Sequence, residues 1–146
     1  MTYFFDTSAL VKHYFPEKGT LIVRQIIQNE DNLIFISELS VVEMLSAFHT
    51  KFRIQQITEI ELEVTVSSFI NTLKTYEIKD LTSLIREKAA QLIIDNSRIR
   101  ALRTLDAFQL ATFLTYAEID WLFVSSDLVL CEIVRKLGHN TFDPSL

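Results

Sequence analysis

One cysteine, two glycines and two prolines in 146 residues leave little room for disulfides, long irregular loops or repeated turn motifs. Cys131 stands inside an apolar run, so it makes no internal disulfide and has no Cys-x-x-Cys partner for zinc. A reduced, cytoplasmic setting is expected. No apolar stretch approaches the roughly 18 uninterrupted residues that span a bilayer. The apolar start Tyr3-Phe4-Phe5 is broken at once by Asp6, so neither a membrane span nor a signal peptide is expected. Positive charge is also scarce. Fourteen Lys and Arg against nineteen Asp and Glu leave a net charge of −5. That argues against a protein that coats DNA regardless of sequence, because such binding draws on clustered cations to release counterions.

What the chain has is apolar and aromatic: 49% hydrophobic, with eleven Phe, four Tyr and one Trp, against 23% charged. This balance fits one folded domain over residues 1–146 with a full core, and it excludes extended disorder. Tyr3 to Phe5 reads as a buried strand running into Asp6-Thr7-Ser8, which caps a helix from about Ala9 to Tyr14. Pro16 and Gly19 interrupt, and Leu21, Ile22, Ile26 and Ile27 then recur at helical spacing. Leu33 to Ile36 is the second strand. Val41, Met44, Leu45, Phe48 and Phe52 form a helical stripe whose start at Ser40, with Glu43 three positions on, has the form of a capping box. Thr58-Glu59-Ile60-Glu61 has the same form and opens another helix. Tyr76 to Ile78 reads as a brief strand, and Asp80 as the cap of a helix through Ile93. A connector with Arg98, Arg100 and Arg103 then leads to a helix from about Leu105 to Tyr116. Trp121 to Val124 is a strand, Ser125 or Ser126 a cap, Lys136 and Gly138 a helix stop, and Asn140 to Phe142 a last strand.

Strands alternating with helices define an α/β class with a parallel sheet, since helical crossovers are how parallel neighbours are joined. Sites in such sheets lie beyond the carboxyl ends of the strands. Asp6 and Asp127 each stand just past an apolar strand, which places both at that edge. Glu43 and Asp106 also fall near helix starts in apolar sequence. Taken singly, each acid has an ordinary reading as a helix cap or a charge favoured by the helix dipole. Together, buried carboxylates would repel one another and lose their charge. Divalent metal removes that conflict, and hard cations such as Mg2+ or Mn2+ prefer oxygen ligands.

Four blocks in order carry a resemblance. They are Tyr3-Phe-Phe-Asp-Thr-Ser-Ala-Leu-Val-Lys12, Ser40-Val-Val-Glu43, Leu102-Arg-Thr-Leu-Asp-Ala-Phe-Gln-Leu-Ala111, and Phe123-Val-Ser-Ser-Asp127 ahead of Lys136-Leu-Gly138. Over nearly its whole length the chain resembles the PIN-domain ribonucleases, in particular the VapC-like toxins of type II toxin–antitoxin systems. The resemblance implies a three-layer α/β/α sandwich around a central parallel sheet, and Mg2+- or Mn2+-dependent endoribonuclease activity. Its metal-binding and catalytic acids fall on Asp6, Glu43, Asp106 and Asp127. Its small hydroxyls fall on Ser8 and Ser125, the latter where the family often has Thr. Gln109 stands where many members have His, and is read as a wall residue. The resemblance further implies an RNA substrate, a small antitoxin protein and a homodimer.

Asp6, Asp106 and Asp127 would then bind metal while Glu43 orients or deprotonates the attacking water. Of the cations Lys12, Lys51, Arg53, Arg98, Arg100 and Arg103, Lys12 and Arg103 flank the acidic blocks and are the candidates for RNA phosphate contacts. His13, His49 and His139 are scattered and suggest neither a triad nor a zinc site. A haloacid-dehalogenase-like phosphatase would want a second Asp where Ser8 stands, and a phospho-receiver would want one after Ile34-Phe35-Ile36, where Ser37 stands. The alternative of a different class is a catalytically silent PIN-fold module that binds RNA or protein.

Overall fold

The computed structural model describes residues 1–146. Its strands are β1 (Thr2–Phe5), β2 (Leu33–Ser37), β3 (Glu77–Lys79), β4 (Leu122–Val124) and β5 (Asn140–Phe142). They form one sheet in the order β3-β2-β1-β4-β5, and every neighbouring pair is parallel. The helices are α1 (Thr7–Leu10), α2 (Thr20–Gln28), α3 (Glu38–Arg53), α4 (Glu59–Thr72), α5 (Ser83–Asn96), α6 (Thr104–Tyr116) and α7 (Leu128–Lys136). None is long and apolar enough to cross a membrane.

Alternation of side chains along the strands splits the core into two layers. Tyr3, Phe5, Ile34, Ile36 and Val124 face one way and meet Leu10, Val23, Met44, Phe48 and Phe69 from α1 to α4. Phe4, Phe35 and Phe123 face the other way and meet Ile85, Leu92, Leu110, Phe113 and Leu130 from α5 to α7. The result is the α/β/α sandwich. Both faces of the central strand are apolar because both are covered, as a parallel sheet requires. Phe4, Phe113 and Phe123 pack with ring centroids 5.0 to 6.0 Å apart, and so fix β1, β4 and α6 to one another.

The strand order fixes where the site lies. From β1 the chain adds β2 and then β3 on one side, and returns to place β4 and β5 on the other. The crevice between the ends of β1 and β4 is therefore the topological switch point, where ligands bind in open parallel sheets.

Several helix starts differ from the sequence expectation. The first helix ends at Leu10 and continues only as a 3-10 turn over Val11–His13. Ser37, not Ser40, caps α3, accepting the Leu39 N–H at 3.2 Å, so Ser40 lies buried inside the helix and makes no capping box with Glu43. The chain turns directly from β2 into the helix, which brings the cap three residues forward. Thr82 rather than Asp80 caps α5, and Asp127 rather than Ser125 or Ser126 caps α7. The Thr58 capping box forms in both directions, with Glu61 Oε2 accepting the Thr58 N–H at 2.7 Å and Thr58 Oγ1 accepting the Glu61 N–H at 3.2 Å.

Candidate active site

Asp6 follows β1 and caps α1. Its N–H donates to the Val124 carbonyl at 3.0 Å, which extends the β1–β4 pairing by one residue and draws the end of β4 alongside. Oδ1 accepts from the Ser8 hydroxyl at 2.8 Å and the Ala9 N–H at 3.1 Å, and Oδ2 accepts from the Ser125 hydroxyl at 2.8 Å. The side chain is only 4% exposed. Burial lifts its pKa from 3.8 to about 6, the bonds from Ser8, Ser125 and Ala9 oppose the rise, and the Asp127 charge adds to it. A carboxylate without a cation at this depth is under strain to take up a proton.

Ser8 and Ser125 tie this carboxylate to the loop after β4. Ser125 Oγ also accepts the Asp127 N–H, and Ser8 Oγ the Ser126 N–H, both at 3.0 Å. Asp127 Oδ1 accepts the Val129 and Leu130 N–H groups at 2.8 and 3.2 Å as the cap of α7. Its Oδ2 lies 3.7 Å from Arg103 Nη2. The same guanidinium donates from Nε to Asp106 Oδ2 at 2.7 Å, Asp106 standing in the first turn of α6. These bonds hold Arg103 above its ordinary pKa, Asp106 contributing most.

Glu43 projects from α3 and accepts the Gln109 Nε2–H at 2.9 Å through Oε1. Burial raises its pKa, the bonds from Gln109 and Thr7 oppose that, and the charges of Asp106 and Arg103 act in opposite directions. Gln109 Nε2 also lies 2.8 Å from Ser40 Oγ and 3.2 Å from Thr7 Oγ1. Three of the acids thus belong to one connected network, Asp6 through Ser125 to Asp127 and Asp127 through Arg103 to Asp106. Glu43 stands in a second group with Gln109, Ser40 and Thr7, the residue after Asp6 in the chain.

As arranged here, no three acidic side chains are close enough to share one metal ion. Arg103 draws Asp106 and Asp127 to itself, and the helix cap holds the other Asp127 oxygen. The donor set is nonetheless that of a hard-cation site: carboxylate oxygens only, one of them buried without a countercharge. Lys12 departs furthest from its expected place. Its side chain is buried and its ammonium pairs with Glu17 at 3.5 Å, because the 3-10 turn after α1 folds it inward. Arg103 is by contrast 75% exposed.

Residues 3–136 match the family model of the PIN domain. The chain belongs to the PIN domain family. Among solved structures this PIN chain is similar to VapBC2 from Rickettsia felis bound to a promoter DNA fragment, with a TM-score of 0.66 at 15% identity and 98% of each chain covered. It is similar to DNA-bound VapBC from Salmonella typhimurium, with a TM-score of 0.70 at 13% identity and 99% and 98% of the two chains covered. It also matches VapC20 from Mycobacterium tuberculosis, a toxin that cleaves the sarcin-ricin loop, with a TM-score of 0.68 at 11% identity and 90% and 94% covered. At these identities the likeness is one of fold. No curated protein matches the PIN chain in sequence.

Within this PIN domain, sequence reasoning missed how Gln109, Thr7 and Ser40 join α6, α1 and α3 behind Glu43. One signal was available. Gln109 is a lone amide in the inward stripe of Ala107, Leu110 and Ala111, and a buried amide must find partners.

Proposed function

We propose that this chain is a metal-dependent endoribonuclease that serves as the toxin of a toxin–antitoxin pair. The observation that carries the reading is the link of Asp6, Asp127 and Asp106 through Ser125 and Arg103 at the switch point of the sheet, with the buried Asp6 left without a countercharge. PIN nucleases generally use divalent metal. Asp6, Asp106 and Asp127 are the residues that would hold Mg2+ or Mn2+ here, with Glu43 beside them. Such a cation supplies Lewis-acid stabilisation of the charge that builds on phosphate oxygens during hydrolysis.

The chain's own residues have separate tasks. Glu43 accepts a proton from a water as its oxygen bonds to phosphorus and a bridging P–O bond breaks. Ser8 and Ser125 keep the Asp6 carboxylate aimed, and Arg103 turns from the acids to the RNA phosphates. Single-stranded or structured RNA is the substrate proposed, since the unpaired bases of strands and loops can be splayed out and held by a protein. VapBC is the assembly named for two of the similar structures, and a small antitoxin protein is the partner proposed for this chain. Homodimerisation would use the apolar outer faces of α3 and α4, where Val42, Ile60 and Val64 are exposed.

A second reading has an observation of its own: Arg103 closed over two acids and no three of them on a common point fit a silent PIN-fold module. Thermal unfolding with and without Mn2+ separates the two, since a ligand that binds only the folded state raises its stability. The nuclease reading expects Mn2+ to raise the Tm of the wild type and to leave Asp106→Asn unmoved. No rise in the wild type would favour the silent module.

A further inference from the structure

Gln109 sits on the inward face of α6, 2% exposed, three residues after Asp106. Its amide NH2 carries two protons and faces three acceptors: Ser40 Oγ at 2.8 Å, Glu43 Oε1 at 2.9 Å and Thr7 Oγ1 at 3.2 Å. The carboxylate accepts only, so it decides which end of the amide points at α3. Gln109 Oε1 is consequently turned away, buried and without a hydrogen-bond partner. An unsatisfied buried carbonyl is costly, and an apolar side chain like its neighbours Leu110 and Ala111 would avoid that cost. Packing alone therefore does not explain the residue.

What the amide obtains for that cost is the position of Glu43. Glu43 reaches the site on a long side chain from α3, and the Gln109 amide bonds its Oε1 at 2.9 Å. Thr7 is the other side chain that hydrogen-bonds this carboxylate. Ser40 and Thr7 brace the amide in turn, the Thr7 hydroxyl lying 3.3 Å from Ser40 Oγ.

We propose that Gln109 is a positioning residue, fixing Glu43 through its Oε1 so that the second oxygen of that carboxylate acts on the attacking water. The inference rests on the nuclease reading. It assigns Gln109 no contact with RNA or metal, so its effect passes wholly through Glu43.

The test is a cycle of four proteins, wild type, Gln109→Met, Glu43→Gln and the double variant, cutting a short labelled single-stranded RNA with Mn2+. Met keeps length and lacks the donor. Gln109→Met is expected to lower kcat by about 100-fold, the scale of an ångström-sized misplacement, with KM unchanged. In the Glu43→Gln background the same change should cost nothing further, because residues that act as a unit are not additive. Gln109→His, which keeps an N–H donor, should recover most of kcat. If Gln109→Met does not fold, Gln109→Asn takes its place, since a shortened amide no longer reaches Oε1 and the same loss is expected. Wild-type kcat in a folded Gln109→Met protein, or an equal loss in both backgrounds, overturns the proposal. Urea midpoints in EDTA of wild type, Gln109→Met, Glu43→Met and their double variant give a reading independent of cutting, since Met at 43, unlike Gln, leaves no acceptor for the amide. They should be non-additive, and additive midpoints would show that the bond does not form. A wild type that cuts nothing defeats the nuclease reading instead, and the midpoint cycle still decides whether residues 109 and 43 are joined.

Discussion

Ser125 donates to the Asp6 carboxylate at 2.8 Å across 119 residues of chain, and accepts the Asp127 N–H through the same oxygen. One hydroxyl therefore joins the Asp6 side chain to the Asp127 backbone, beside the Asp6 N–H to Val124 bond that pairs the ends of β1 and β4. Ser125→Ala removes both bonds in a site that is fully buried. Leaving one buried donor unpaired and one carboxylate less solvated should cost about 1–3 kcal/mol, read as a lower urea midpoint at unchanged m-value.

Asp6 gives the metal-free protein a pH dependence of defined sign. Its carboxyl titrates at about 6 in the folded chain against 3.8 when unfolded, with burial as the main cause. Between those values the folded chain keeps a proton that the unfolded chain has lost, so stability falls as pH rises through this window and then levels. The shift of roughly two units corresponds to about 3 kcal/mol. In EDTA, Asp6→Asn should flatten this slope and unfold at a higher urea concentration than wild type at pH 7, although it removes a proposed catalytic group. An unchanged slope in Asp6→Asn would place the titrating group elsewhere.

Arg103 is 75% exposed although it touches two acids, so its removal should matter little to folding. As a phosphate contact it should matter to RNA. Arg103→Gln is expected to raise KM with little change in kcat, and to reduce the slope of log affinity against log salt by about one. Lys12→Gln should leave that slope alone, because Lys12 is buried against Glu17. An unaltered slope in Arg103→Gln would confine that residue to neutralising the acids.

The inner strands β1, β2 and β4 were legible because they are short, largely apolar runs, whereas the edge strands β3 and β5 are mixed in polarity. Asn140–Phe142 falls where the sequence placed it, and β1, β2, β3 and β4 fall within one residue of their expected positions. Asp6 and Asp127 follow β1 and β4, since a carboxylate after such a run has the strand end as its natural place. Caps were harder to read. Ser37 and Ser40 are both serines ahead of one stripe, and only the length of β2 decides between them. Lys12 reads as a phosphate contact because it flanks the first acidic block, whereas the 3-10 turn folds it in against Glu17. Gln109 could not be assigned from its own helix at all, because its partners lie 66, 69 and 102 residues away.

The most direct test follows cleavage of a labelled single-stranded RNA by the purified chain, free of any antitoxin, with Mg2+ or Mn2+, with EDTA, and with Asp6→Asn protein in parallel. Internal cutting that requires the metal and is abolished both by EDTA and by the substitution is the expected result. Cutting that persists in EDTA or in Asp6→Asn, or a folded wild type that takes up Mn2+ and leaves every RNA intact, would contradict it.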